Sequence, residues 1–99
     1  MIKISIKKEN DKLKEIFIKG HANYDEYGKD IVCASCSSIV TTTINGIESI
    51  DKDAINYSDD KGVKIEILKQ DDTTLKLIEN MLDLLKELAN DYPKTIEFL

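Results

Sequence analysis

Apolar and polar residues alternate over residues 1–7, and after a polar stretch a second segment with isoleucines on one face runs over residues 13–19, which is typical of strands that bury one face. Ile2, Ile4 and Ile6 share one face of a first strand, and Ile16 and Ile18 share one face of a second. Residues 9–11 between them, Glu-Asn-Asp, favour a turn. The pattern predicts a β-hairpin.

From residue 30 to residue 50, apolar positions recur every three or four residues, which predicts a helix with one buried face. Two features oppose it: a β-branched run over residues 39–44, and Gly46, since glycine costs about 1 kcal/mol inside a helix. Burial of the apolar stripe must outweigh both. The stripe comprises Val32, Cys36, Ile39, Val40, Thr43, Ile44 and Ile47.

The second half of the chain predicts two strands, a helix and a last strand. The strands are residues 54–57 and 63–68, the helix begins after Asp71 or Asp72, and the last strand is residues 95–98. The order ββαββαβ predicts an α/β two-layer sandwich, a mixed sheet with both helices packed on one face. The apolar stripe of the second helix comprises Leu75, Ile78, Met81, Leu82, Leu85, Leu88 and Ala89.

Size and charge narrow the function classes. A length of 99 residues predicts a single domain, residues 1–99. The net charge of −5 and the absence of arginine argue against nucleic acid as a partner and favour a basic protein. No signal peptide or membrane-spanning run is apparent, so we expect a cytoplasmic protein with reduced thiols and no membrane partner.

The single histidine, His21, and the first cysteine, Cys33, lie in one short segment and predict a base and a nucleophile. A neighbouring imidazolium or a helix N-terminus lowers the pKa of a thiol. If Asp30 is the N-cap, Cys33 is the third helical residue and lies near unpaired N–H groups. The Asp30 carboxylate either caps the helix or orients the His21 ring, and Gly28 gives the loop between them a flexible hinge.

The second cysteine, Cys36, leaves other interpretations open. Its Cys-x-x-Cys spacing with Cys33 fits a thiol-disulfide oxidoreductase, whereas its position on the apolar stripe favours a buried structural thiol. His21, Cys33 and Cys36 offer three metal ligands where structural zinc takes four. We therefore predict no metal and no cofactor.

Two stretches resemble a known family: Gly20-His21-Ala22, and residues 27–34, Tyr-Gly-Lys-Asp-Ile-Val-Cys-Ala, followed by a serine-rich helix. They are similar to the ribosomal-processing cysteine protease family, Prp, and the chain length and element order match as well. Cys36 is a departure, because the family usually has a small non-thiol residue there.

The resemblance implies a homodimeric cysteine endopeptidase that removes the N-terminal extension of large-subunit ribosomal protein L twenty-seven. It implies a catalytic dyad of His21 as proton acceptor and Cys33 as nucleophile. Family substrates carry an aromatic pair before the cut, so we expect an apolar pocket, closed by Tyr24 or Tyr27. Backbone N–H groups at the helix start, including that of Cys33, are the predicted oxyanion donors. A module that binds a ribosomal protein without cutting it remains an alternative.

Overall fold

Strands and helices follow one another in the predicted order. The structure is a computed structural model that describes residues 1–26 and 30–99, and in these residues five strands and two helices run ββαββαβ. This order and the α/β fold class are confirmed. The elements are β1 Ile2–Glu9, β2 Lys12–Lys19, α1 Ile31–Ile50, β3 Ile55–Asp59, β4 Val63–Ile67, α2 Asp72–Asp91 and β5 Ile96–Phe98.

The strands form one mixed sheet in the order β3-β4-β2-β1-β5. The β1–β5 pair is parallel and the other pairs are antiparallel. The predicted hairpin closes at the pair Glu9 and Lys12, through Asn10 at φ 54° and Asp11 at φ 62°. Two successive positive φ angles characterise the tight hairpin turn, and asparagine and aspartate tolerate them better than most residues.

Helix α1 buries five of the seven residues of the predicted stripe, leaves Ile39 and Thr43 half-buried, and continues through Gly46 to residue 50. The Thr43 hydroxyl donates to the Ile39 carbonyl at 2.9 Å, so this half-buried hydroxyl is satisfied inside the helix. Burial therefore outweighs the low helix propensity of the β-branched run. The buried residues of α1 are Val32, Cys36, Val40, Ile44 and Ile47, and they join the buried residues of α2 and of the sheet in one core.

Helix α2 starts at the N-cap Asp71, whose carboxylate accepts from the Thr74 N–H at 2.9 Å. It ends at the C-cap Tyr92, next to Pro93. Neither α1 nor α2 is apolar enough over a bilayer's thickness to cross a membrane. The buried residues of α2 are Thr74, Ile78, Met81, Leu82 and Leu85.

The strand limits differ slightly from the prediction. Strand β3 starts one residue later than predicted, because the Ala54 carbonyl accepts from the N–H groups of Leu68 and Lys69 outside the ladder. It runs on to Asp59, which pairs with Val63 across a shorter turn. Leu68 lies beyond β4 and is 56% exposed.

The sheet face opposite the helices carries mainly polar and charged residues. Lys64 lies 3.4 Å from a Glu15 carboxylate oxygen and 4.0 Å from one of Glu66. Phe17 pairs with Lys64 on this face and is half-buried. The face is therefore largely solvated, with Phe17 its main apolar residue.

Candidate active site

Gly20 turns the chain out of the sheet directly after β2. Its φ is +93°, and a Cβ there would lie 2.5 Å from the Met1 carbonyl oxygen, so only glycine fits this position. The next residue, His21, is exposed and lies beside the first turn of α1, where it shares cavities with Cys33. Gly20 was not among the predicted site residues, although a glycine immediately after a strand is the signal for this role.

Ala22 anchors the segment that follows His21. Its side chain is 2% exposed and belongs to the core. Its N–H donates to the Sγ atom of Cys33 at 3.2 Å. The backbone after His21 is thereby held against the third residue of α1, which brings the predicted base and nucleophile to one place.

Asp30 joins this loop to the helix. It is the N-cap of α1, and its Oδ1 accepts from the N–H groups of Val32 and Cys33, both at 3.0 Å. Its Oδ2 accepts from Tyr24 at 2.9 Å and from Asp25 at 3.4 Å. Desolvation, the largest single influence, raises the pKa of Asp30, but the four N–H donors outweigh it and leave the pKa below its ordinary value.

These contacts correct the predicted oxyanion donors. The N–H groups of Val32 and Cys33 are not unpaired, because the carboxylate of Asp30 accepts from both. The next N–H, that of Ala34, donates to the Asp30 carbonyl. Within residues 1–26 and 30–99, no hydrogen bond or ion pair joins Asp30 to His21.

Two cavities flank Cys33, and His21, Cys33 and Ser37 line both of them. The first has a volume of about 450 Å³ and extends along α1 towards the turn between β3 and β4, and the second has a volume of about 570 Å³ and lies towards Asn23 and Asp30. Ser37 was not among the predicted site residues; it lies four residues after Cys33 and so on the same helix face. The first cavity is lined in part by aliphatic and aromatic side chains, Ile18, Val40, Ile44, Tyr57 and Val63, and in part by the charged residues Lys19, Asp59, Asp60 and Lys61.

His21 and Cys33 share both cavities without a direct bond. In the part of the chain that the structure describes, Cys33 Sγ accepts from Ala22 and no hydrogen bond joins it to the His21 ring. Such bonds are often long or absent in an unliganded enzyme and form when substrate binds. Because His21 is exposed, its ring has room to turn towards the sulfur.

The predicted pocket residues lie elsewhere or outside the described residues. The Tyr24 ring packs edge-on against Tyr92, with centroids 5.1 Å apart and an angle of 83°. Tyr24 lines neither cavity beside Cys33, so this structure does not place it in a substrate pocket. Tyr27 and the predicted hinge Gly28 lie outside the described residues.

Cys36 is a free thiol that is only 5% exposed, and it lines the first cavity together with Cys33. Burial, with a smaller contribution from the charge of Cys33, raises the pKa of Cys36 to about 11. At neutral pH it is therefore protonated. Across the described ranges, no three His, Cys, Asp or Glu side chains come together as a metal site requires.

Comparisons with known proteins agree on one family. The family profile described as cysteine protease Prp matches residues 1–97. The ribosomal processing cysteine protease Prp of Staphylococcus aureus is 31% identical over 93 residues, which cover 89% of this chain and 87% of that protein. The protein of the same name from Mycoplasma genitalium is 35% identical over 99 residues, covering 97% of this chain and 92% of its own.

A solved structure gives the same result for the fold. The essential ribosomal processing protease Prp from S. aureus, crystallised with a covalently linked product peptide, superposes with a TM-score of 0.90 at 25% identity. The match covers 99% of this chain and 97% of that one. The resemblance drawn from the segments around His21 and Cys33 is thus confirmed over nearly the whole length, and the chain belongs to the Prp family of cysteine proteases.

Proposed function

We propose that this protein is an endopeptidase in which Cys33 is the nucleophile and His21 the proton acceptor. We propose that its substrate is the N-terminal extension of ribosomal protein L twenty-seven. One observation carries the proposal: the only histidine and a half-buried cysteine at a helix N-terminus line the same two cavities. A cysteine protease needs this pair with room for peptide on both sides.

The reaction follows from these positions. The Cys33 sulfur attacks the scissile carbonyl carbon, and His21 holds the thiol proton and returns it to the leaving amine. The acyl group stays on Cys33 as a thioester. His21 then takes a proton from water, which hydrolyses the thioester and frees the sulfur.

The oxyanion needs a donor other than the N–H groups that Asp30 engages. The Ala22 N–H lies 3.2 Å from Sγ, next to the atom to which the carbonyl carbon becomes bonded. An N–H at this distance from the sulfur is close enough to donate to the oxyanion on that carbon. This favours Ala22 over the helix-start residues as the backbone donor.

The first cavity suits an apolar side chain of the substrate. Ile18, Val40, Ile44 and Val63 give it an aliphatic part, and Tyr57 is also among its lining residues. We assign one residue of the aromatic pair before the cut to this cavity, with Tyr57 in contact with it. Tyr57→Ala should raise KM roughly tenfold, equal to about 1.4 kcal/mol, while Tyr57→Phe stays close to the wild type.

Two further features belong to the proposal. A ribosomal protein is made in the cytoplasm, so we assign the reaction to that compartment. We also propose a homodimer on the basis of the family. Sedimentation velocity of the purified protein at several concentrations tests the dimer, and a monomer throughout would contradict it.

The test of the activity is digestion of a synthetic peptide that spans the extension junction, under reducing conditions, with the products read by mass spectrometry. The wild type should make one cut, and Cys33→Ala and His21→Ala should make none. Ser38→Ala is the matched control, because Ser38 is exposed on α1 and lines neither site cavity. It should cut at the wild-type rate.

The same variants separate the alternatives. A protease needs one thiol, so Cys36→Ala should still cut the peptide. If the protein were an oxidoreductase, Cys36→Ala would instead lose turnover of a disulfide substrate and accumulate a mixed disulfide at Cys33. A binding module would retain its affinity for the peptide in the absence of both thiols. An uncut peptide with the reduced wild type would refute the proposed protease.

A further inference from the structure

We propose that Cys36 is a resolving thiol, and that a hydroperoxide converts Cys33 and Cys36 into a disulfide that switches the site off reversibly. The proposal rests on the proposed role of Cys33 as the nucleophile. By the resemblance drawn from the sequence, Cys36 stands where a small non-thiol residue is usual in the family. Nothing in the cleavage reaction uses its thiol.

The two sulfurs lie on one face of α1 and line one cavity. Residues three apart on a helix have Cβ atoms about 5–6 Å apart, whereas a disulfide needs roughly 3.5–4.5 Å. Closure therefore requires an approach of about 1–2 Å. Cys33 lies in the first turn of α1, where its N–H and that of Val32 donate to the Asp30 side chain and not to a backbone carbonyl, so a shift of residue 33 breaks no helical hydrogen bond of its own N–H.

The environments of the thiols decide which one is oxidised first. Cys33 is partly exposed and faces peptide-sized space on both sides. Cys36 is buried and stays protonated at neutral pH, and oxidants react with the thiolate. Oxidation therefore begins at Cys33, and Cys36 acts second.

The chemistry balances with the peroxide as the only oxidant. The deprotonated Cys33 sulfur attacks a peroxide oxygen, the O–O bond breaks, and the products are the sulfenic acid and an alkoxide or hydroxide. The Cys36 sulfur then attacks the sulfenic sulfur. The S–S bond forms, the S–O bond breaks, and the Cys36 proton leaves with the hydroxyl group as water. The two electrons lost by the thiols have gone to the peroxide.

The disulfide has two consequences for the proposed protease. While Cys33 is bonded to Cys36 its sulfur cannot form the thiolate that attacks a carbonyl, so cleavage stops. The sulfenic acid is also removed before a second peroxide can convert it to the irreversible sulfinic acid. Reduction of the disulfide restores the nucleophile.

The test exposes reduced protein to hydrogen peroxide and reads intact mass without reductant, and then measures peptide cleavage before and after dithiothreitol. The wild type should lose two hydrogen atoms within one chain, lose its cleavage activity, and regain most of it on reduction. Cys36→Ala should instead gain two oxygen atoms and stay inactive after reduction. Cys36→Val, which fills the buried site better, repeats the test in case alanine weakens folding.

Each activity is compared with the same variant before peroxide treatment. The proposal is overturned if the wild type gains oxygen without losing hydrogen, if it links two chains, or if it recovers no better than the Cys36 variants. Mass alone decides whether the disulfide forms. A protein that forms it but never cuts peptide in its reduced state would refute the protease and not the disulfide.

Discussion

Replacing Gly20 by alanine tests the argument that a positive φ and a close backbone contact fix the start of the site. The same substitution at Gly46 is a matched control with the opposite expected sign. Gly20 has φ +93° and a Cβ there would lie 2.5 Å from the Met1 carbonyl oxygen. At Gly46, inside α1, a Cβ would meet nothing within 4 Å.

The structure sets the size of both effects. Alanine in the left-handed region costs about 1–2 kcal/mol, and the backbone clash at residue 20 adds to this. Alanine also lowers the conformational entropy of the unfolded chain, which offsets about 0.4–1 kcal/mol of this cost. Gly46→Ala should gain about 1 kcal/mol from helix propensity. The two variants should therefore differ by about 2 kcal/mol or more in free energy of unfolding.

Thermal and urea unfolding, followed by circular dichroism, measure this difference. For a domain of this size the variants should melt about 8 °C or more apart. Peptide cleavage gives a second readout, because Gly20→Ala also displaces His21 while Gly46→Ala leaves the site untouched. A Gly20→Ala protein as stable as the wild type would refute the steric argument.

Three further outcomes follow from the site. Cys33 should react with iodoacetamide much faster than Cys36 at neutral pH, because Cys36 is buried with a pKa of about 11, and equal rates would contradict the assignment. Asp30→Asn should keep the helix cap but lose the hydrogen bond from the Tyr24 N–H, because the amide nitrogen of asparagine cannot accept it. Hydrogen exchange at the Tyr24 backbone amide should therefore become faster, while the amides of α1 remain protected. Backbone N–H groups donate to the carboxylates of Asp30 and Asp71 and lower the pKa of each below 3.8. Each ionised carboxylate therefore stabilises the fold above pH 3.8, and this stabilisation is lost as the pH falls through the lowered pKa. Urea unfolding measured at several pH values across this range should show that the free energy of unfolding falls less steeply with decreasing pH in Asp30→Asn than in the wild type. An equal fall in both proteins would be contrary evidence.

Periodicity along the chain was enough to predict the fold. The alternation of Ile2, Ile4 and Ile6 specifies which strand face is buried, because neighbouring side chains of a strand point to opposite sides. The stripe of α1 overrode the unfavourable propensities of its β-branched run and of Gly46, since burial of a whole face outweighs a few tenths of a kcal/mol per residue. Strand ends were less certain because single hydrogen bonds, such as those to the Ala54 carbonyl, decide them.

The site was less predictable, because its contacts are non-local. An aspartate before a helix indicates a cap, but the sequence does not show that the second oxygen of Asp30 binds the loop. The other carboxylate oxygen of Asp30 accepts from the N–H groups of Val32 and Cys33, which were the predicted donors to the oxyanion. The contact of Tyr24 with Tyr92 joins residues far apart in the chain, so no local pattern places the Tyr24 ring there.

The pairing of β5 with β1 determines when the sheet can be completed during synthesis of the chain. Strand β1 lies between β2 and β5, and the loop tyrosine Tyr24 rests on Tyr92, just before β5. Residues 92–98 are made long after His21 and Cys33. A nascent chain therefore presents His21 and Cys33 before the neighbours of β1 and of Tyr24 have been made, and the edge of the sheet beside β1 is completed only after residues 96–98 have left the ribosome.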